Sequence, residues 1–358
     1  MTGDDIQALR DQIDDVDREL LALLNRRAQL AQRIGEHKHR LQLPVFRPER
    51  EREVIDKVRR ANPGPLRDDG VAAVWREVMS ACRALEARQR VAYLGPEGTY
   101  SELAARRFFG SSCEFVACAD FDEVFHSQLA GATDFALAAI ENSTEGAIAR
   151  TLDLLLAQPV RLCGEISVPV HHNLLRAEAG LAGVDAVLAH PQALSQCRQW
   201  LDAHLPAVER RAVASNAEGA RLAAHDPRLA AIAGEHAAAL YALQVVARHI
   251  QDQAQNRTRF IVLGTQQPQA TGCDRTSLIL AVPNRAGAVF EMLRPLATHG
   301  VSMTRFESRP ARSGDWEYYF YVDIEGHADD APVRAALDAL RGACAFFKNL
   351  GSYPVWRD

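Results

Sequence analysis

The 358-residue chain has no stretch of about 18 consecutive apolar residues, the length that a membrane-spanning helix requires. Long Lys/Arg runs are also missing and the formal net charge is −5, which excludes the basic face that nucleic acid demands. Seven cysteines are odd in number and lack any CxxC, and the twelve histidines include no HExxH. Neither a disulfide frame nor a zinc site is therefore expected, and the thiols fit a reducing cytoplasm. There is no GxGxxG loop for a dinucleotide and no GxSxG elbow for a serine nucleophile. The opening residues, MTGDDIQALRDQIDD, are acidic and amphipathic, without the apolar core of a secretion signal. What the chain does have is 47% apolar residues, enough for the two or three domains that its length implies.

Three textures divide it. From Asp4 to Arg40 there is no proline and one late glycine, and Ile6, Leu9, Ile13, Val16, Leu20, Leu23, Leu24, Leu30 and Ile34 keep helical spacing. A helix of that length spans about 55 Å, too long to bury its stripe in a small monomer, so it needs partner helices. A second helix is expected from Pro48 to the Asn62–Pro65 turn and a third from Arg67 to Arg88, making residues 1–88 all-α. From Arg90 to Thr265, short apolar runs such as RVAYLG, FALAAIEN, AVLAH and FIVLG alternate with helical stretches, the α/β pattern. After a polar linker, Thr265–Asp274, residues 275–355 read strand (Ser277–Val282), helix (Ala288–Thr298), strand (Val301–Ser308), strand (Trp316–Ile324), helix (Pro332–Gly342), strand (Phe346–Ser352). That βαββαβ order is the ferredoxin-like plan.

Candidate chemistry sits in each block. Arg27 and Lys38 are eleven residues apart, which returns them to nearly one helix face with ~16 Å of rise; taken alone they read as solvated surface, and the alternative is that both cations converge on one dianion. Arg10 lies ~25 Å from Arg27 along the helix and is reachable only from a second, antiparallel copy. In the central block, GPEGTYS, IENSTEGAI and HPQALSQC each join a strand to a helix start, where open α/β folds place ligands. In QNRTRFIVLG, Thr258 enters a strand between Arg257 and Arg259; taken alone it reads as an ordinary strand-entry threonine. His171 and His172, after EISVPV, read as a strand end. In the last block, PNRAGAVFEML places Gly287 at a strand-to-helix turn whose N–H groups suit a carboxylate.

These motifs resemble known families. ALRDQIDDVDRELLALLNRRAQLAQRIGEHK with RPERE resembles the all-helical chorismate mutases. GPEGTYS, IENSTEG, HPQALSQC and NRTRF resemble prephenate dehydratase, and PNRAGAVFEML with ESRP resembles the ACT regulatory domain. The resemblance implies a multidomain chain: a three-helix mutase domain (1–88) intertwined in a dimer, a two-lobed α/β dehydratase domain (90–265), and a ferredoxin-like ACT domain (275–355). It implies the pericyclic conversion of chorismate to prephenate, then loss of CO2 and water to give phenylpyruvate, with no cofactor and no metal. Position by position, Arg27 and Lys38 match the in-cis cations, Arg10 the cation given across the dimer, and Arg50 and Glu51 the second helix's contribution. Glu86 stands where some members carry a glutamine that donates to the ether oxygen. Thr258 matches the residue at the leaving group, Arg259 one that orders substrate charge, and Glu141, Asn142, Ser143 and Gln196 the cleft lining. Asn284, Gly287, Ala288, Val289, Glu307, Ser308, Arg309 and Pro310 match the site for L-phenylalanine as allosteric inhibitor. Arg47 and Ala189 stand where some members have aspartate and serine.

Other readings compete. A mutase fused to prephenate dehydrogenase needs a glycine-rich dinucleotide loop, and YLGPEGTYS lacks its spacing. A two-lobed solute-binding protein leaves Arg27, Lys38 and Glu51 without a purpose. Arogenate dehydratase shares the motifs and stays open. The expected molecule is a cytoplasmic homodimer or higher homo-oligomer, with no nucleic-acid or membrane partner. A carboxylate at position 86 must carry a proton to donate. Mutase turnover is therefore expected to fall as pH rises, and Glu86→Gln to flatten the profile; a mutant that keeps the wild-type pH profile removes this role.

Overall fold

The computed structural model describes residues 3–41, 43–311 and 318–357, and the chain divides into two compact units. The first comprises Met1–Gln89 with Phe109–Glu114. Its three helices are α1 (Gly3–Arg40), α2 (Pro48–Ala61) and α3 (Asp68–Glu86). Pro48 opens α2, where a missing N–H costs nothing, and Asp68 and Asp69 sit at the positive end of α3. Ile55, Ala72 and Met79 form a small core, and Phe46 packs against Phe109 with ring centroids 5.2 Å apart. Along α1 the expected apolar stripe is present but uncovered, from Ile6 (44% exposed) to Ile34 (54%).

The second unit holds both remaining textures. Its elements are β1 (Arg90–Leu94), α4 (Tyr100–Phe109), β2 (Glu114–Cys118), α5 (Phe121–Leu129), β3 (Phe135–Asn142), β4 (Gly146–Ala147), α6 (Ala149–Ala157), β5 (Leu162–Pro169), β6 (Asn173–Arg176), β7 (Ala186–Ala189), α7 (Pro191–Gln196), α8 (Arg198–His204), β8 (Glu209–Ala212), α9 (Asn216–Ala223), β9 (Leu229–Ala233), α10 (Glu235–Leu240), β10 (Gln244–Ala247) and β11 (Arg257–Leu263). Then follow β12 (Asp274–Ala281), α11 (Ala288–Thr298), β13 (Met303–Pro310), β14 (Tyr318–Glu325), α12 (Ala331–Ala343) and β15 (Phe346–Pro354). The first two residues of the expected strand Trp316–Ile324 lie outside the described residues.

Among the described residues three sheets result. One runs β2-β1-β3-β11-β5 with β4 beside β3, a second β10-β6-β9-β7-β8, and the third β13-β14-β12-β15. The first two are the lobes of the α/β region. The chain leaves the first lobe after β5, builds the second, and returns as β11, which inserts antiparallel between β3 and β5. Helices cover both faces of the second sheet: Val187, Ile232 and Leu201 pack on one side, Ala220, Ala231 and Ala237 on the other.

The third sheet buries both of its faces, which the two-residue period of a strand makes explicit. Leu278, Leu280, Phe320, Val322 and Ile324 pack with Met292 and Leu337 of α11 and α12. The intervening residues Ile279 and Tyr321, with Leu350 and Tyr353, share a core with Ala136, Leu152 and Ile261 of the first α/β sheet. The α/β region and the βαββαβ region are thus sealed by one continuous apolar core. Gly351 enters this seal with φ +136°, and a Cβ there would strike the Leu162 carbonyl oxygen. Gly351→Ala is expected to cost about 1–3 kcal/mol, from the strained dihedral alone, and to lower the thermal midpoint accordingly; an unchanged midpoint would show that β15 shifts freely against β5.

Candidate active sites and effector site

A cleft of about 680 Å³ lies between the two α/β lobes, at strand ends and helix starts. Leu94, Thr99, Ser101, Asn142, Asn256 and Thr258 line it from the first lobe, and His190, Gln192, Gln196 and Ala214–Glu218 from the second. Its floor is set by strand register. Thr258 of β11 pairs with Asn142 of β3, and Arg259 pairs with Glu141. Cross-strand partners share a face, so Thr258 and Asn142 look into the cleft while Arg259 and Glu141 look away.

Hydrogen bonds fix how the floor is polarised. Backbone N–H groups of Thr144 (3.0 Å) and Glu145 (3.2 Å) donate to Asn142 Oδ1. That pins the amide, so Nδ2 must point at Thr258 Oγ1 (2.8 Å) and Asn256 Oδ1 (2.9 Å). Asn256 Nδ2 then donates to Gln196 Oε1 (3.2 Å), whose own Nε2 donates to Glu145 (2.9 Å). Gln196 Oε1 is left as an acceptor for His172 Nε2 (2.9 Å), so His172 carries its proton there. Burial lowers the His172 pKa from its ordinary 6.5, which keeps the ring neutral at pH 7. Because Thr258 Oγ1 already accepts from Asn142, its own proton is directed elsewhere, and it faces the cleft as a donor.

Of the dehydratase residues expected from sequence, Asn142, Gln196 and Thr258 meet in the cleft. Three others do not line it. Glu141 pairs instead with Arg305 (3.1 Å). Ser143 stitches the turn, accepting from Arg257 N and donating to Gln255 O. Arg259, expected to order substrate charge, is directed to the far face, where its guanidinium bonds Glu165 (2.8 Å), Asp323 (2.6 Å) and Tyr353 (3.1 Å). Burial alone would lower its pKa, yet Tyr353, Asp323 and Glu165 hold it well above the ordinary value. Among the described residues, no Lys or Arg lines the cleft. Positive potential comes from the starts of α4 and α9, whose first N–H groups have no intrahelical acceptor. Sequence reading missed Asn256 and His172, both almost wholly buried and both in the network. Alternation along NRTRF was the available signal for Asn256, two residues before Thr258.

In the helical unit, Lys38 Nζ donates to Val45 O (3.0 Å) and Glu86 (3.2 Å), and Arg27 Nη1 reaches Cys82 Sγ (2.9 Å). The expected in-cis residues Arg27, Lys38 and Glu86 therefore converge where α1 faces α3. Glu51 is ion-paired with Arg83, which also donates to Phe109 O and stacks over Phe46. Arg50 pairs with Glu53 and is exposed. Arg10 lies on the exposed N-terminal half of α1. In the third sheet, Gly287 has φ +79° with open space around it, so glycine is needed for the dihedral that starts α11. Ala288 is buried, while Asn284 and Val289 are exposed beside it. Arg309 and Ala281 both pair with Tyr319, so Glu307–Pro310 and the Asn284–Val289 turn occupy the same end of the sheet.

A helical unit with clustered cations, a two-lobed α/β region with a polar cleft and a βαββαβ sheet define the class: a multidomain chain with a ligand cleft between α/β lobes. Comparison with known proteins gives the class its name. Family models match for chorismate mutase type II over residues 9–87, prephenate dehydratase over 91–268 and the ACT domain over 276–342. The bifunctional chorismate mutase/prephenate dehydratase of Neisseria gonorrhoeae is 48% identical over 97% of this chain and 96% of its own. A crystal structure of prephenate dehydratase in complex with L-Phe, from Arthrobacter aurescens, superposes with TM-score 0.68 at 34% identity, covering 74% of this chain and 89% of that one. GqqA, described as a novel type of quorum quenching acylase, has the same TM-score at 28% identity, covering 75% and 98%, so the fold by itself does not fix the chemistry. The chain belongs to the bifunctional chorismate mutase/prephenate dehydratase family, and it has both activities, serving phenylalanine biosynthesis. Among the described residues no helix is long and apolar enough to cross a membrane.

Thr258→Ala is expected to lower prephenate kcat by about 10²–10³-fold, the usual cost of one transition-state donor, with KM changed only a few-fold. Thr258→Ser should retain most turnover. Steady-state kinetics on prephenate test this; equal turnover in the alanine variant would return Thr258 to an ordinary strand entry.

Proposed function

We propose that Thr258, oriented by Asn142, is the hydrogen-bond donor to the hydroxyl that leaves prephenate. The carrying observation is the pinned Asn142 amide, which spends the Thr258 oxygen as an acceptor and leaves its proton for the cleft. As the ring carboxylate departs as CO2, its bonding electrons enter the ring and expel the C4 hydroxyl, which takes up a proton and leaves as water. A threonine hydroxyl is too weak an acid to surrender its proton outright, so it stabilises charge on the departing oxygen. The substrate's carboxylates are held by the N–H groups that open α4 and α9. Gln196 and Asn256 keep Asn142 in place, and His172, neutral at Gln196, keeps Gln196 in place.

For the mutase, Arg27 and Lys38 hold chorismate's carboxylates in the compact conformer that the pericyclic step requires, and Glu86 lies beside the breaking ether bond. The uncovered stripe of α1 supports a homodimer in which a second α1 lies antiparallel and brings Arg10 to the site. Arg50 and Glu51 would border that site from α2. The third sheet binds L-phenylalanine at Gly287–Val289 and Glu307–Pro310, with Asn284 at the rim, and binding lowers dehydratase activity. The likeness to a dehydratase crystallised with L-Phe supports this reading. The cytoplasm is the fitting compartment for thiols in a pattern that suggests neither a disulfide frame nor a zinc site.

One experiment tests the set. Purified full-length protein is given chorismate, and separately prephenate, and phenylpyruvate is followed with and without L-phenylalanine. Both substrates should yield phenylpyruvate, and L-phenylalanine should inhibit without competing with prephenate. Inhibition that survives substitution of Gly287 and Ser308 would remove the effector site from this sheet.

A further inference from the structure

The far face of the dehydratase strands carries a cluster that neither reaction uses. Arg259 and Glu141, cross-strand partners on β11 and β3, meet Asp323 and Arg305, cross-strand partners on β14 and β13. Arg259 binds Asp323 (2.6 Å), Arg305 binds Glu141 (3.1 Å), and Arg259 lies 4.0 Å from Glu141. Glu165 of β5 adds a bond to Arg259 and another to Arg275 of β12. The dehydratase side contributes one cation and two anions (Arg259; Glu141, Glu165), and the third sheet two cations and one anion (Arg275, Arg305; Asp323). Each side alone carries an unbalanced charge of opposite sign; only together are they neutral. Five of the six side chains are 18% exposed or less, and Glu141 is 41% exposed. In such burial each ion requires its partner in one position.

A second grip comes from the same strand. The two-residue period puts Arg305 and Arg309 on one face of β13, half-buried, while Phe306 and Ser308 between them are exposed. Arg309 donates to Ala149 O and lies 3.4 Å from Asp153, so it holds the first turn of α6. Tyr321 OH donates to Leu152 O (2.8 Å) in the same helix. Between Glu141 and Ala149 lies the turn whose Thr144 and Glu145 N–H groups pin Asn142. Strand β13 therefore holds both ends of the segment that orients Asn142, and through it Thr258.

We propose that β13 is the transmitting element between effector and dehydratase sites, with Arg305 as a positioning residue for Asn142 and Thr258. This rests on the reading of L-phenylalanine as the ligand of the third sheet. Ligand bound at Ser308, on the exposed face, moves the strand; Arg305 and Arg309, on the inward face, carry the displacement to Glu141 and Ala149; and the Asn142 amide turns away from Thr258. A packed ionic cluster of this kind has discrete arrangements, so a small shift at one end is carried as a change of state.

An effector that turns Asn142 away from Thr258 lowers turnover rather than prephenate binding, so effector binding and effector inhibition are read separately. Calorimetry with full-length protein measures L-phenylalanine binding, and steady-state assay measures inhibition, for wild type, Arg305→Met and Arg305→Lys. In Arg305→Met, L-phenylalanine should bind within about threefold of wild type, while maximal inhibition is lost or the half-inhibitory concentration rises at least tenfold, as removal of a coupling of typical size requires. Arg305→Lys, which keeps the charge without the planar fork, should fall between and serves if the methionine variant does not fold. An Arg305→Met or Arg305→Lys protein that binds and is inhibited as wild type overturns the proposal. A wild-type chain that releases no heat with L-phenylalanine overturns the effector reading itself, and a variant that loses binding and inhibition together makes Arg305 part of the ligand site and overturns transmission.

Discussion

Strand β11 is held between two antiparallel neighbours, and the period of two forces Thr258 and Arg259 to opposite faces of one sheet. Two polar clusters of the second unit lie on either side of that split. One face carries a network of amide and hydroxyl hydrogen bonds opening on the cleft, the other an ionic cluster shared with the third sheet. Because both belong to adjacent residues of the same strand, neither can be moved without disturbing the other. The register shift between Arg259 and Phe260 falls at this point, where a bulge re-aims the strand beside the site.

The cleft network works by exhausting alternatives. Two backbone N–H groups settle the Asn142 amide, and each following amide has one orientation left. The chain from Thr258 to His172 is then a single polarised path, and its terminal ring is kept neutral by burial. A buried network whose amides each have one orientation is rigid, and rigidity is what a hydrogen bond to a departing oxygen needs. The starts of α4 and α9 open on the same cleft, and among the described residues no Lys or Arg lines it.

The third sheet is joined to the dehydratase by two different forces. Ile279, Tyr321, Leu350 and Tyr353 seal the contact with apolar area, which holds but is tolerant of sliding. The ionic cluster adds little net stability, because desolvation offsets attraction, yet removing one partner costs roughly 3–5 kcal/mol. The first force keeps the sheets together and the second fixes their register, a division suited to a regulatory contact.

Local pattern along the chain carries much of the fold. Helical periodicity marks three helices in the first 88 residues, with Pro48 opening the second, and the βαββαβ order follows from alternating apolar runs, its helix Ala288–Thr298 bounded by Gly287. Family motifs point to Asn142, Gln196 and Thr258, which do meet, and the length of α1 implies its uncovered stripe. Composition and local pattern determine these features, since they depend on neighbours in the chain. The direction of Arg259 and Glu141, the entry of Asn256 and His172 into the network, and the pairing of Arg305 with Glu141 are decided only by tertiary structure. Each depends on which strand lies beside which: β11 crosses from the far end of the second lobe to sit against β3, and β13 and β14 come from beyond the linker to face it. A sequence states which side chains alternate; only the assembled sheets state what each face meets.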